Sequence, residues 1–168
     1  QPLGTAGCVK KVEELLNDTF LVISGDGVTD FDLKKAIAFH KEKGSLATIV
    51  LTRVPNPIEF GVVITNPDGE IVRFLEKPST SEIFSDTVNT GTYILEPEVL
   101  AYLPLEQEKD FSKDLFPILL EEGKPVYGYI AEGYWCDVGH LEAYRQSQYD
   151  AVHQKVELEF DYEERFPG

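Results

Sequence analysis

Two isolated aspartates are the residues of this chain best suited to chemistry. Asp26 ends the run Phe20-Leu21-Val22-Ile23-Ser24-Gly25, and Asp137 ends Gly133-Tyr134-Trp135-Cys136. Carboxylate oxygens are ligands for hard cations, and two of them leave room for waters and phosphate oxygens around Mg²⁺. A wholly apolar run such as Phe20 to Ile23 reads as a strand buried on both faces. Ligands of such sheets gather beyond the carboxyl ends of the strands, where Asp26 is expected. Each aspartate also has an ordinary reading. Gly25-Asp26-Gly27 is turn chemistry, and Asp137 stands where it could cap the helix that follows.

Three further segments carry polar groups at places a ligand can reach. Phe74-Leu75-Glu76-Lys77-Pro78 puts an acid and a base at the end of a strand, where neighbouring side chains approach from opposite sides. A carboxylate such as Glu76 accepts hydrogen bonds from sugar hydroxyls, and an ammonium such as Lys77 suits a phosphate oxygen. A surface ion pair before a proline turn is the plainer reading. Val88-Asn89-Thr90-Gly91-Thr92-Tyr93 sets an amide and hydroxyls beside a glycine, as a polar contact or as a bulge. The opening Gln1-Pro2-Leu3-Gly4-Thr5-Ala6-Gly7 is a loop leading into a helix, with a glutamine amide and backbone N–H groups able to read a base edge or hold a phosphate. It lacks the GK[ST] element of a Walker loop. His140 reads as a helix-start residue, and His40 and His153 have no assigned role. Cys136 has no histidine partner nearby and is not expected to act as a nucleophile.

Composition narrows the classes. The chain has 168 residues, 42% of them hydrophobic, which is one domain's worth with a real core. Its net charge of −15 would repel a nucleic-acid backbone and an anionic membrane surface. The two cysteines lie far apart, as expected in a reducing cytoplasm. No stretch is long or apolar enough to span a membrane. There is no methionine, and a chain opening on Gln1-Pro2 is read as a piece of something longer.

The elements that must position these residues follow from periodicity. Cys8 to Leu16 has a helical pattern with Val9, Val12, Leu15 and Leu16 on one face. A strand over Phe20 to Ser24 leads to a helix from about Leu33 to Lys43, capped by Asp30 or Asp32 and ended by Gly44. Leu46 to Leu51 is a second buried strand, so the three elements form a βαβ unit with parallel strands. Gly61 to Thr65 and Ile71 to Glu76 form a hairpin around Asn66-Pro67-Asp68-Gly69, with the Asp-Gly pair taking positive φ. Thr90 to Leu95 and Val126 to Ala131 are strands, and Pro97 to Leu103 is a short helix. A helix opened by Asp110 runs to Leu120, with Pro117 kinking or restarting it. The last helix runs from His140 to about His153, and Val156 to Gly168 reads as a linker.

Taken in order, QPLGTAG, FLVISGD, EFGVVI, FLEKP, NTGTYIL and GYWCDVG resemble the sugar-1-phosphate nucleotidyltransferases, most closely the bacterial mannose-1-phosphate guanylyltransferase-like group. The likeness runs from Gln1 to about Tyr149. It implies an α/β fold, a Rossmann-like mixed, mainly parallel sheet flanked by helices, with a β-hairpin insertion and an incomplete N-terminus. Residues 1–153 would form the nucleotidyltransferase domain and 154–168 a linker toward a missing C-terminal region. The implied activity joins a sugar 1-phosphate, with mannose 1-phosphate expected, to a nucleoside triphosphate, with GTP expected, and releases pyrophosphate. By the same resemblance Asp26 and Asp137 are metal-binding and catalytic with Mg²⁺. Glu76 holds sugar hydroxyls and Lys77 contacts the sugar phosphate. Asn89 and the Gly61 backbone bind sugar, and Gln1 and Gly4 belong to the base-recognition loop. His140 stands where many relatives carry threonine. The glycine-rich signature GGxGTRLxPxTxxxPK that cradles the triphosphate in relatives does not occur in the sequence, so the chain alone is expected to be inactive. The other reading is a non-catalytic regulatory subunit that binds sugar nucleotides. Homo-oligomerisation of the full-length protein is left open.

Overall fold

The β-branched and aromatic runs of the chain pair into a mixed sheet, and helical segments cover both of its faces. The computed structural model describes residues 2–76 and 85–158, with Glu76 described in its backbone alone. The elements are α1 (Gly4–Lys10), β1 (Phe20–Ile23), β2 (Gly27–Thr29), α2 (Leu33–Lys43), β3 (Ala47–Arg53), β4 (Gly61–Thr65) and β5 (Ile71–Glu76). They continue with β6 (Thr87–Leu95), α3 (Phe116–Glu121), β7 (Val126–Ile130), β8 (Trp135–Asp137) and α4 (Leu141–Val152). A π-helical turn over Phe111–Leu115 runs straight into α3, and Pro117 sits in the first turn of that helix, as a restart requires.

The sheet runs β5-β4-β6-β3-β7, with β1 on the same edge of β6 as β4. β6 is antiparallel to β1, β3 and β4, whereas β3 and β7 are parallel. It follows that β1, β3, β4 and β7 share one direction. The βαβ expectation is therefore right in direction and wrong in adjacency, because β6 lies between β1 and β3. A second correction concerns β1 itself. Its side chains alternate between half-buried and exposed, and Ile23 is 51% exposed. β3 is the strand buried on both faces. Ala47, Ile49 and Leu51 pack with Phe111, Leu115, Phe116 and Leu119, while Val50 joins Phe31, Ala36 and Ile94 on the other face.

Local chemistry explains the helix ends. Asp32 accepts hydrogen bonds from the N–H groups of Lys34 and Lys35, and Gly44 closes α2. His40 of this helix is buried, with Nδ1 bonded to Thr48 Oγ1 at 2.8 Å and Nε2 to Glu96 Oε1 at 2.9 Å. α1 starts at Gly4, earlier than the periodicity suggests, because Ala6 and Gly7 donate to the Lys109 carbonyl and fasten this turn to the body. It ends at Lys10, so Leu15 is 78% exposed instead of lying on a helical face. In the hairpin turn only Gly69 takes positive φ. Asp68 is held instead by its N–H to Asn66 Oδ1. Among the described residues no helix is long and apolar enough to cross a membrane.

Candidate active site

Two three-residue strands, too short to show any period in sequence, build the site. β2 and β8 form an antiparallel ribbon with Gly27 opposite Asp137, Val28 opposite Cys136 and Thr29 opposite Trp135. The Val138 N–H closes that end by donating to the Asp26 carbonyl at 2.9 Å. Asp26 and Asp137 are thereby held at one end of one ribbon, although they stand 111 positions apart in sequence. Ser24 positions the first carboxylate, its hydroxyl donating to Asp26 Oδ1 at 2.6 Å, and the Ser24 N–H ties this turn to the Gly91 carbonyl of β6. Asp137 does not cap α4. His140 does, accepting the Ala143 N–H on Nδ1 at 3.2 Å.

Both aspartates line a cleft of about 280 Å³, together with Gly61 and Asn89. Asn89 lies beside a break in the β3–β6 register, where Val50 pairs with Thr92 and Leu51 with Asn89. Its Oδ1 accepts the Gly91 N–H at 2.9 Å, and its Nδ2 donates to Tyr93 Oη at 3.0 Å and Ser112 Oγ at 3.2 Å. The amide thus orients two hydroxyl-bearing residues that also line the cleft. The hairpin register sets the Glu76 backbone opposite Gly61, at the same edge. Gly4 lies elsewhere. It has φ +69, and a Cβ built on it would fall 2.4 Å from the Lys109 carbonyl oxygen, so it packs on backbone outside the cleft wall. Gln1, Lys77 and the linker residues 159–168 lie outside the described residues.

Sequence reasoning missed several wall residues. Glu59 and Phe60 directly precede Gly61, and Asp110, Ser112 and Lys113 stand at a helix start whose sequence signals only the opening of a helix. Thr5 Oγ1 donates to Asp110 Oδ2 at 2.9 Å and joins α1 to this wall. The described lining carries four carboxylates, on Asp26, Glu59, Asp110 and Asp137, against the single ammonium of Lys113. Such a lining carries net negative charge and draws cations. Among the described residues no three of His, Cys, Asp and Glu gather as a metal cluster. The oxygen groups that the ribbon brings to the cleft are the carboxylates of Asp26 and Asp137. That fits Mg²⁺, which keeps waters and phosphate oxygens in its shell, better than an all-protein metal cage.

The support behind the ribbon is polar and tight. Tyr134 Oη donates to Asp150 Oδ2 on α4 at 2.9 Å, and burial followed by this bond raises the phenol pKa. A hydrogen bond from Lys155 holds Asp150 below the usual carboxylate range. Burial pushes the Cys136 thiol up, which leaves it a poor nucleophile beside Asp137.

A pair of carboxylates carried on a two-stranded ribbon beside a mixed α/β sheet lines a polar cleft. The nucleotidyl transferase family model matches residues 1–154, and the chain belongs to that family, with sugar-1-phosphate nucleotidyltransferases as its relatives. It is 43% identical over 150 residues to a UTP–glucose-1-phosphate uridylyltransferase of Synechocystis, covering 86% of this chain and 39% of that protein. It is 40% identical over 144 residues to a mannose-1-phosphate guanyltransferase of Candida albicans, covering 83% and 39%. A solved structure from Bacillus anthracis, assigned as a glucose-1-phosphate thymidylyltransferase, shares the fold with a TM-score of 0.78 at 23% identity, over 95% of this chain and 65% of that one. The chain spans about 39% of the length of these curated relatives.

Proposed function

We propose that this chain carries the cation and sugar-phosphate half of a sugar-1-phosphate nucleotidyltransferase. In that reaction a phosphate oxygen of the sugar 1-phosphate attacks the α-phosphorus of a nucleoside triphosphate. The α–β phosphoanhydride bond breaks and pyrophosphate leaves. No protein nucleophile is needed, so the residues position two anions and offset their charge. Asp26 and Asp137 would hold Mg²⁺, which supplies charge neutralisation at the α-phosphate. Glu76 takes sugar hydroxyls and Lys77 the sugar phosphate. Asn89 and the Gly61 backbone border the sugar, while Gln1 and Gly4 belong to base recognition. The convergence of Asp26, Asp137, Gly61 and Asn89 on one cleft carries this reading.

Mannose 1-phosphate with GTP is the pair we favour, from motif likeness and from guanylyltransferase relatives at 36–40% identity. Glucose 1-phosphate with UTP is the competing pair, favoured by the 43% relative. No residue of this sequence supplies the triphosphate-cradling signature, so binding is a better test than turnover. Calorimetric titration with both sugar phosphates, with and without Mg²⁺, is expected to give Mg²⁺-dependent binding of one of them. Asp137→Asn is expected to weaken it about tenfold or more, a loss of about 1.4 kcal/mol. Binding of neither sugar phosphate would refute the reading.

A further inference from the structure

One carboxylate behind the ribbon reaches in two directions. Asp30 Oδ1 accepts the Tyr134 N–H at 2.6 Å, and Asp30 Oδ2 accepts the Glu157 N–H at 3.0 Å. The first bond finishes the ribbon. After the Thr29–Trp135 pair the next rung joins Asp30 to Tyr134. There the Asp30 N–H donates to the Tyr134 carbonyl at 3.3 Å, and the side chain takes the return bond that backbone would otherwise make. Thr29 Oγ1 donates to the same carbonyl at 2.8 Å. Gly133 makes the approach possible, since it has φ +130 and a Cβ there would fall 2.4 Å from Asp30 Oδ1.

The second bond grips the chain that follows α4. In that stretch Val156 is only 4% exposed, and Lys155 Nζ bonds Asp150 at 2.8 Å, the residue that also receives Tyr134 Oη. Asp30 therefore ties residues 155–157 to the end of the ribbon opposite the one that carries Asp26 and Asp137. A two-stranded ribbon of three residues per strand has little stiffness of its own. Its geometry depends on what clamps it.

We propose that Asp30 is a positioning residue that splints this ribbon and couples the spacing of Asp26 and Asp137 to the segment after α4. Displacement of that segment opens the ribbon and loosens cation binding. The cation part of this inference rests on the function proposed above. Asp30 acts through the ribbon and touches neither carboxylate, so the effect expected is about tenfold in affinity.

The test uses the full chain, with Mn²⁺ as probe counted by electron paramagnetic resonance and ribbon opening read by amide exchange at Val138. Asp30→Ala removes both bonds. Glu157→Pro removes only the N–H donor of the second. Asp30→Asn keeps one acceptor oxygen for Tyr134 and turns its amide toward Glu157, which separates the two arms a second way. Asp30→Ala and Glu157→Pro are each expected to weaken Mn²⁺ binding about tenfold and to speed Val138 exchange by a similar factor, with α2 amides unchanged. Asp30→Asn should match Glu157→Pro. Unchanged Val138 exchange in Asp30→Ala and Asp30→Asn overturns the splint, whatever Glu157→Pro does. If Val138 responds while Asp26→Asn leaves Mn²⁺ binding untouched, the splint stands and the cation-site reading is the part that falls.

Discussion

Lys113 sets the charge problem of the cleft at its smallest scale. It is the ammonium among four carboxylates in the described wall, and it is solvent-exposed on a turn capped by Asp110. An exposed lysine contributes modestly to holding an anion, because water competes for both partners. Lys113→Ala is expected to weaken sugar 1-phosphate binding by about 1 kcal/mol, roughly fivefold in Kd, without changing Mn²⁺ affinity. Calorimetry on the variant checks both halves. A loss of Mn²⁺ binding would instead mean that the turn had moved and carried the wall with it.

At the scale of elements, caps and clamps decide what forms. Asp32 bonds two N–H groups of the first turn of α2, so Asp32→Ala should cost about 1 kcal/mol of unfolding free energy in urea titration. Asp150 has a pH signature. Its carboxyl is held low chiefly by the Lys155 hydrogen bond, with Tyr134 and Gln146 also donating to it. A group with a depressed folded pKa stabilises above its unfolded value and loses that contribution as pH falls through the folded one. The stability difference between wild type and Asp150→Asn should therefore be flat above about pH 5 and shrink below about pH 4. A difference that grew on acidification would contradict the assignment.

These elements also show what a sequence can disclose. α2 is legible because a capping aspartate, at Asp30 or Asp32, and a terminal Gly44 bracket the segment from about Leu33 to Lys43, and the structure selects Asp32 as the cap. β1 is covered on one face only, which its sequence does not disclose, since an apolar run carries no mark of whether neighbours cover its second face. The β2–β8 ribbon was invisible, because three-residue strands have no period and pair across the whole domain. Asp26 and Asp137 could still be chosen by residue type, whereas Asp110, Ser112 and Lys113 looked like ordinary capping chemistry.

For the molecule as a whole, the net charge of −15 and the acidic cleft favour cation entry before any phosphate arrives. The position of Trp135 has a practical result. It is the one tryptophan of the chain, lining the cleft on β8 between the Phe60 ring, with centroids 5.2 Å apart, and the Thr90 carbonyl, to which its Nε1–H donates at 3.3 Å. The indole emission of this chain consequently originates in the cleft wall, where Trp135 backs onto the cluster of Phe31, Val50 and Ile94. A paramagnetic ion seated on the aspartate pair should quench that light saturably, and Asp26→Asn should abolish the saturable part. Emission indifferent to Mn²⁺ in a chain that binds it would place the ion elsewhere. In optical terms the cleft is self-reporting, so its occupancy can be followed without any attached dye.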